Sequence, residues 1–353
     1  EDGIRDFCLS RGLGDVYKRQ VINMNNFKKI GLTALAASLV SVSAHAGALT
    51  ASGSASMNTE GHTGEQLDAG TTFSMSNSVT LSGSGEMDNG LTVAVSFEMD
   101  QGTGNNSDKG FDNHSVTVSS DSLGTLVLAG HGGSTASSKI DTTAAGDMWD
   151  NFDGMVIGGT TTLAAVQMSS AGNNSFFYTS PDLMDGLNIV LSYNPQGASS
   201  SNGNAENPSE TGYGFNYTGV EGLSVSFATT EIETNDANTQ GDNDVVKVSY
   251  AYGPVTATYS TSETTAITDT SSGATDSYAL SYTVSDELSV TYGSETHEED
   301  GATTDVEVDG ISVAYTTGGM TISAVMQSAE NLNHSTSSEL DVDYWKLGAS
   351  FAF

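Results

Sequence analysis

The acidic side chains around residue 150 are the first candidates for chemistry in this sequence. The stretch DMWDNFDG (147–154) places three carboxylates near a glycine. Carboxylate oxygens bind calcium, but this spacing does not match the ligand positions of an EF-hand loop. The histidines are scattered, and no Ser–His–Asp or paired-carboxylate arrangement falls on neighbouring positions. Nothing argues for catalysis, so we expect a protein that is not an enzyme.

Two further acidic runs are expected to lie in outer loops. They are EIETNDANTQGDND (231–244) and ETHEEDGATTDVEVD (295–309). One interpretation is solvated loop charge. The other is that Ca²⁺ or Mg²⁺ bridges these acidic loops and relieves the repulsion among their carboxylates. The sequence does not single out individual metal ligands.

The first 23 residues differ from the rest of the chain. They hold the only cysteine, Cys8, and the string SRGLGDVYKRQ resembles translated library-adapter sequence. We therefore exclude residues 1–23 from the fold as an adapter-derived artefact. Without Cys8 the chain has neither a disulfide framework nor a thiolate site.

Residues 24–46 have the order of a secretory signal peptide. Two lysines precede the apolar run IGLTALAASLVSV (30–42), which is too short to span a membrane as a helix. Ala44 and Ala46 form an A-x-A cleavage motif. The mature chain is then expected to comprise residues 47–353.

Residues 47–353 are strongly acidic. They contain four lysines, no arginine and all but four of the chain's 44 acidic residues. This balance excludes nucleic acid as a partner, because phosphate binding requires Lys and Arg. No apolar run approaches the roughly 20 residues of a membrane helix, so entry into a membrane would require a closed barrel.

The segment YWKLGASFAF (344–353) shows the pattern that recurs along the chain. Every second residue is apolar, and the alternate set is small or polar apart from Tyr344. A period of two over ten residues predicts a strand with one apolar and one polar face. Comparable alternation predicts sixteen strands. It is weakest at 175–178, and it changes phase at Gly310, which predicts a β-bulge there.

Short turns and long loops alternate between these strands. The long connections are roughly 59–71, 100–112, 131–172, 194–211, 231–243, 262–275, 295–303 and 328–337. The seven connections between them are tight turns rich in Gly, Asn, Asp and Pro. All short turns therefore lie at one end of the sheet, which is the layout of an outer-membrane β-barrel.

Signal peptide, sixteen strands and terminal phenylalanine together resemble the Gram-negative porin family, the alphaproteobacterial type in particular. The resemblance implies an all-β, sixteen-stranded antiparallel transmembrane barrel in outer-membrane lipid. It also implies homotrimers and passive diffusion of small hydrophilic solutes and ions. Phe353, Phe351 and Trp345 resemble the C-terminal signal that the barrel-assembly machinery reads.

In this family the third long loop folds into the lumen and constricts it. The corresponding loop is 131–172, where Met148, Trp149, Phe152 and Met155 are expected to pack against the wall. The resemblance places five charged residues at the constriction, namely Asp141, Asp147, Asp150, Asp153 and Lys139.

The predicted lumen wall lacks the arginines that general porins set opposite the acidic loop. Its charged residues are expected to be Glu86, Glu98, Lys247 and Lys346. A narrow aqueous path with net negative charge favours cations, so the sequence predicts a cation-preferring pore.

Two alternatives stay open from the sequence. A substrate-selective porin, for instance for sugars, would need an aromatic track along the lumen, and Trp149 and Tyr344 are few. A secreted surface adhesin would share the acidic, cysteine-free, β-rich composition. However, the chain lacks glycine-aspartate repeats of the β-helix kind.

Overall fold

A computed structural model describes residues 49–63, 70–100, 111–140, 143–157, 160–162, 174–195, 209–233, 241–266 and 272–353. The predicted artefact, the signal peptide with Ala44 and Ala46, and Asp141 lie outside these residues. No helix within these ranges is long and apolar enough to cross a membrane.

Sixteen strands of the described residues form the wall of a closed barrel. They are β1 (Thr50–Thr63), β2 (Gly70–Glu86), β3 (Thr92–Asp100), β4 (His114–Ser120), β5 (Gly124–His131), β8 (Ser175–Thr179), β9 (Leu187–Asn194), β10 (Ser209–Tyr217), β11 (Leu223–Glu233), β12 (Gly241–Tyr252), β13 (Val255–Ala266), β14 (Gly273–Thr283), β15 (Leu288–Glu299), β16 (Val306–Thr317), β17 (Met320–Glu330) and β18 (Val342–Ala352). Two further short strands, β6 (Val156–Ile157) and β7 (Thr160–Thr161), form a separate hairpin between β5 and β8.

Every wall strand pairs antiparallel with its neighbours, and β1 pairs with both β2 and β18. The seam continues to the last residue. The Gly53 amide donates to the Phe353 carbonyl at 2.8 Å, and the Phe353 amide donates back to Gly53 at 3.0 Å. A closed barrel has no unpaired edge strand. The predicted sixteen-stranded antiparallel barrel is therefore confirmed.

The predicted alternation of short and long connections is also confirmed, although the strands extend further than predicted. β1 continues to Thr63 and β2 starts at Gly70, where the sequence predicted a loop from 59 to 71. The hairpin pairs throughout this extension, down to His62 opposite Gly70. Polar residues that the sequence predicts to be loop are therefore part of the sheet, because their backbone groups hydrogen-bond to the neighbouring strand.

The two faces of the wall differ as the period-two pattern predicts. Large apolar side chains point outward, as shown by Phe73, 84% exposed, and by Leu347 and Met326. Hydroxyl groups on adjacent strands pair across the inward face. Such pairs, at 2.7–3.0 Å, are Thr50–Ser82, Ser56–Ser76, Ser249–Thr258, Ser281–Thr291 and Thr316–Thr321. Much of the lumen wall is therefore polar but uncharged.

The predicted bulge at Gly310 is wrong. β16 pairs without a register shift with both β15 and β17. Val306 and Val308 point inward and are fully buried, whereas Ile311 points outward and is exposed. The apolar residues change face because the inner surface here packs against a loop, and the strand itself stays regular.

The weak alternation at 175–178 has the same cause. Phe176 and Tyr178 face outward in β8, and the inward Phe177 packs against a buried cluster that residues of the loop after β5 form with the wall.

The outward face carries like charges in directly opposed positions near the loop ends of the strands. Three such pairs of exposed acids are Glu231–Asp242, Asp244–Glu263 and Glu307–Glu330. Like charges directly opposite each other destabilise a sheet. This part of the surface therefore carries electrostatic repulsion that salt can screen.

Neutralising one member of such a pair should stabilise the barrel. We expect Asp244→Asn to raise the free energy of unfolding by about 0.2–1 kcal/mol at low ionic strength, because the repulsion from Glu263 is removed. The urea midpoint of the folded protein in detergent measures this gain, which should shrink as salt is added. Asp276→Asn is the control, since Asp276 accepts a hydrogen bond from Tyr259 at 2.7 Å and faces Thr261. An equal gain in the control would contradict pairwise repulsion as the cause.

Candidate functional site

The chain between β5 and β8 folds into the barrel and packs on its inner wall. Ala136 and Ile140 form a buried cluster with wall residues of β9, β11 and β12, namely Val190, Ala228 and Val245. The contact is fixed by polar groups as well. The Ala136 amide donates to Ser192 Oγ at 2.8 Å, and the Ser137 hydroxyl donates to Thr230 Oγ1 at 2.7 Å.

A second apolar cluster joins the loop to the last strands of the barrel. Met148, Phe152, Met155 and Ile157 pack against Val306, Val308, Ala329, Leu332, Val342 and Tyr344. Phe152 is fully buried, with its ring edge-on to Tyr344 and to His62 of β1. The predicted wall packing is confirmed for Met148, Phe152 and Met155, and Trp149 is partly buried beside them.

Two glycines on the wall make room for this packing. A Cβ on Gly293 of β15 would lie 2.6 Å from the Ala145 Cβ, and one on Gly310 of β16 would lie 3.1 Å from the Met148 sulfur. Larger residues would push the loop off the wall. Gly310 is thus where the loop comes close to the sheet, which explains why the alternation of apolar residues changes there.

The centre of the loop is a 3-10 turn, Met148–Asn151, held by polar contacts on several sides. The Asn151 side-chain amide donates to Gln327 Oε1 at 2.8 Å, and His62 Nε2 donates to the Asn151 carbonyl at 2.7 Å. The turn is therefore tied to β17 and to β1, on both sides of β18.

Asp147, Asp150 and Asp153 are all exposed on this turn and its flanks. Asp150 lies within the 3-10 turn, whereas Asp147 precedes it and Asp153 follows it, and Phe152 is buried against the wall. Asp147 adopts a left-handed backbone conformation and accepts a hydrogen bond from the Thr143 hydroxyl at 2.8 Å. Three of the four predicted acids are thus exposed on the central part of the loop.

The predicted lysines take different places. Lys139 is exposed on the loop. Lys247 lies on the lumen face of β12, where its ammonium donates to the Thr143 carbonyl at 3.2 Å. Lys346 lies on the lumen face of β18 and lines a recess of about 220 Å³ with Asn151 and Gln327. Lys247 therefore helps to hold the loop in addition to lining the wall.

Glu86 and Glu98 sit on lumen-facing positions of β2 and β3, as predicted. Glu98 accepts a hydrogen bond from Asn113 Nδ2 at 2.8 Å, and Glu86 is exposed at the short-turn end of its strand. The contacts described above attach the loop to other strands. Glu86 and Glu98 are therefore not among the residues that contact its 3-10 turn.

Sequence reasoning missed Glu295 and His297. Both lie in the run that the sequence assigned to an outer loop, yet they belong to β15 and are 1% exposed, beneath the loop. The expectation of solvated loop charge is wrong for these two residues. The period-two alternation could have predicted this. Leu288, Val290 and Tyr292 face outward, and the alternate residues Gly293, Glu295 and His297 face inward.

Among the described residues, no group of three or more His, Cys, Asp or Glu side chains could hold a metal ion. The expected binding of Ca²⁺ or Mg²⁺ by the acidic loops stays a prediction, and residues 234–240 of the first run lie outside the described part.

Comparison with known proteins decides the family. A family description for Gram-negative porins matches residues 31–353. This chain is a member of the Gram-negative porin family. The porin is therefore an outer-membrane protein, and its barrel spans that membrane. Membership points to a channel rather than an enzyme.

Solved structures share the porin's fold at low sequence identity. An anion-selective porin from Comamonas acidovorans is 16% identical, with a TM-score of 0.62 over 87% of this chain and 99% of that one. Salmonella typhi OmpF, in complex with daunomycin, is 18% identical, with a TM-score of 0.65 over 86% and 97%. A triple mutant of the Rhodopseudomonas blastica porin is 16% identical, with a TM-score of 0.60 over 87% and 100%. No curated protein matches the chain significantly.

Proposed function

We propose that this porin is a passive diffusion channel for small hydrophilic solutes and ions that prefers cations. The observation that carries the proposal is the row of exposed carboxylates, Asp147, Asp150 and Asp153, on a loop packed inside the barrel. Fixed negative charge in a narrow aqueous path raises the local concentration of cations and opposes anions. Asp141 is expected to add to this charge.

The rest of the lumen offers little to offset these acids. The chain from residue 47 on contains no arginine. On the lumen wall, Lys247 keeps its charge while it donates to the Thr143 carbonyl, and Lys346 is the direct cross-strand neighbour of Glu60. Hydroxyl pairs on the wall are neutral. The porin from Comamonas acidovorans is anion-selective, but a shared fold at 16% identity does not carry selectivity, which depends on the side chains that line the path.

The reversal potential in a planar bilayer under a salt gradient tests the proposal. We expect stepwise channel currents whose reversal potential lies towards the equilibrium potential of the cation. A reversal potential on the anion side would reject cation preference, but it would still support a diffusion channel. An absence of conductance from correctly folded protein would reject an open diffusion channel.

The sugar-selective alternative finds less support. The lumen aromatics Trp149 and Tyr344 are both engaged at the seam between loop and wall, where Tyr344 donates its hydroxyl to Glu60 at 2.6 Å. Neither is therefore available to form an aromatic track for a sugar ring.

We also propose that residues 24–46 are a signal peptide cleaved after Ala46, with residues 1–23 derived from an adapter. The porin is further proposed to form homotrimers, as the family resemblance implies. Phe353, Phe351 and Trp345 are proposed to engage the barrel-assembly machinery. In support, Phe353 pairs with Gly53 of the first strand, so the residues of the proposed signal also close the barrel.

A further inference from the structure

Glu295 is an acidic side chain buried at the seam between the constriction loop and the wall. It lies on the lumen face of β15 and is 1% exposed. Its carboxylate oxygens accept hydrogen bonds from two consecutive loop amides, Met148 at 3.3 Å and Trp149 at 3.2 Å. These two amides begin the 3-10 turn, between Asp147 and Asp150.

His297 lies beside Glu295 beneath the loop. His297 Nε2 lies 3.6 Å from Glu295 Oε2, and His297 Nδ1 lies 2.9 Å from the Thr275 hydroxyl. The Trp149 ring packs edge-on against the His297 ring, with 6.2 Å between centroids. Glu295, His297 and Trp149 therefore lie next to one another where the loop meets the wall.

We propose that Glu295 is the positioning residue that fixes the constriction loop and turns Asp147 and Asp150 towards the channel. This deepens the proposed function and rests on the loop being the constriction. The carboxylate holds the amides between the two aspartates against the wall. Asp147 and Asp150, which flank these amides, are exposed. Glu295 does not itself need to touch a permeating ion.

The chemistry of the contact requires a carboxylate. A carboxylate can accept from both amides, whereas a glutamine would offer one oxygen and turn its NH₂ group towards the second N–H. The loop's contacts with Ser192, Thr230, Ser277 and Gln327 are to neutral side chains, and Lys247 contacts it with a charged group of the opposite sign.

Trp149 fluorescence tests the proposal independently of ion selectivity. The chain has two tryptophans, so Trp345→Phe leaves Trp149 as the only one. In this background Glu295→Gln should raise the acrylamide quenching constant about twofold, because the loop opens more often and exposes the indole. Single-channel currents should become larger and noisier. The matched control is Glu307→Gln, which makes the same change on the outward face of β16, where Glu307 is exposed.

Correctly folded Glu295→Gln with wild-type quenching and conductance would overturn the proposal. So would an equal change in both variants. Heat-dependent electrophoretic mobility verifies that the barrel has formed. If Glu295→Gln does not assemble, Glu295→Asp replaces it, because aspartate keeps the charge but is too short to reach both amides. Assembled Glu295→Asp with unchanged quenching would also overturn the proposal.

The outcome is separable from that of the proposed function. A wild-type reversal potential on the anion side would reject cation preference, whereas the difference in Trp149 quenching between Glu295→Gln and Glu307→Gln would still report on the anchor. Where the wild type prefers cations, Glu295→Gln should shift its reversal potential towards zero, and the control should not. A variant whose barrel is destabilised in general would assemble less well, but it would not show both the change in Trp149 quenching and the shift in reversal potential.

Discussion

Replacing Asp147, Asp150 and Asp153 together by asparagine should lower the cation-to-anion permeability ratio about fivefold once screening is included. The three carboxylates are exposed on the loop turn and its flanks. Each contributes roughly 0.5–1 kcal/mol to an ion about 4–8 Å away in water-like surroundings. Together they supply most of the negative charge that we assign to the constriction.

Asparagine is suited to this test because it preserves the loop. The Thr143 hydroxyl donates a hydrogen bond to the Asp147 carboxylate, and the amide oxygen of an asparagine at this position could accept the same bond. The packing of Phe152 and Met155 would be untouched. Conductance at high salt should therefore change little, while the reversal potential under a salt gradient should move towards zero.

The matched control removes the same charge from the outside of the barrel. Glu263, Glu307 and Glu330 are exposed and face outward, so their triple replacement by glutamine should leave the reversal potential near that of the wild type. If both triple variants shift the reversal potential equally, overall protein charge sets selectivity, and the loop does not.

Most of the fold could be predicted from local pattern. The strand count, the alternation of connections and the closing role of the last strand depend on period-two alternation and on turn residues. Both are local properties. The ends of the strands were harder to predict, because pairing extends through polar residues such as those of β1 up to Thr63. Only the neighbouring strand shows that these residues belong to the wall.

The candidate site could be predicted in part, and what was missed has one physical origin. The loop, its apolar anchors and its acids could be predicted from the sequence of the loop itself. Their docking surface on the wall appeared only as irregularities, at Phe177, at Val306 and Val308, and at the inward Glu295. An inward apolar residue in a barrel is expected to be wet unless something covers it. These departures therefore mark the wall positions that the loop covers.

Truncating Phe152 should release the constriction without opening the barrel. Phe152 is fully buried among loop and wall residues and contacts the rings of His62 and Tyr344. Replacing a buried phenylalanine by alanine costs about 3–5 kcal/mol through lost burial and an unfilled cavity. The backbone hydrogen bonds between the sixteen strands do not involve this side chain. The loss therefore falls on docking of the loop, and Phe152→Ala should give larger and more variable single-channel currents.

Phe73→Ala is the control for this change. Phe73 lies on the outward face of β2 and is 84% exposed, so the same truncation there leaves the loop docked. Both proteins should show the heat-dependent mobility of a closed barrel. Phe152→Ala should also reduce cation selectivity, because an undocked loop no longer holds its carboxylates over the path. Wild-type current amplitudes and noise in Phe152→Ala would show that the loop is held by its polar contacts alone, and the apolar cluster would then have no part in setting the constriction.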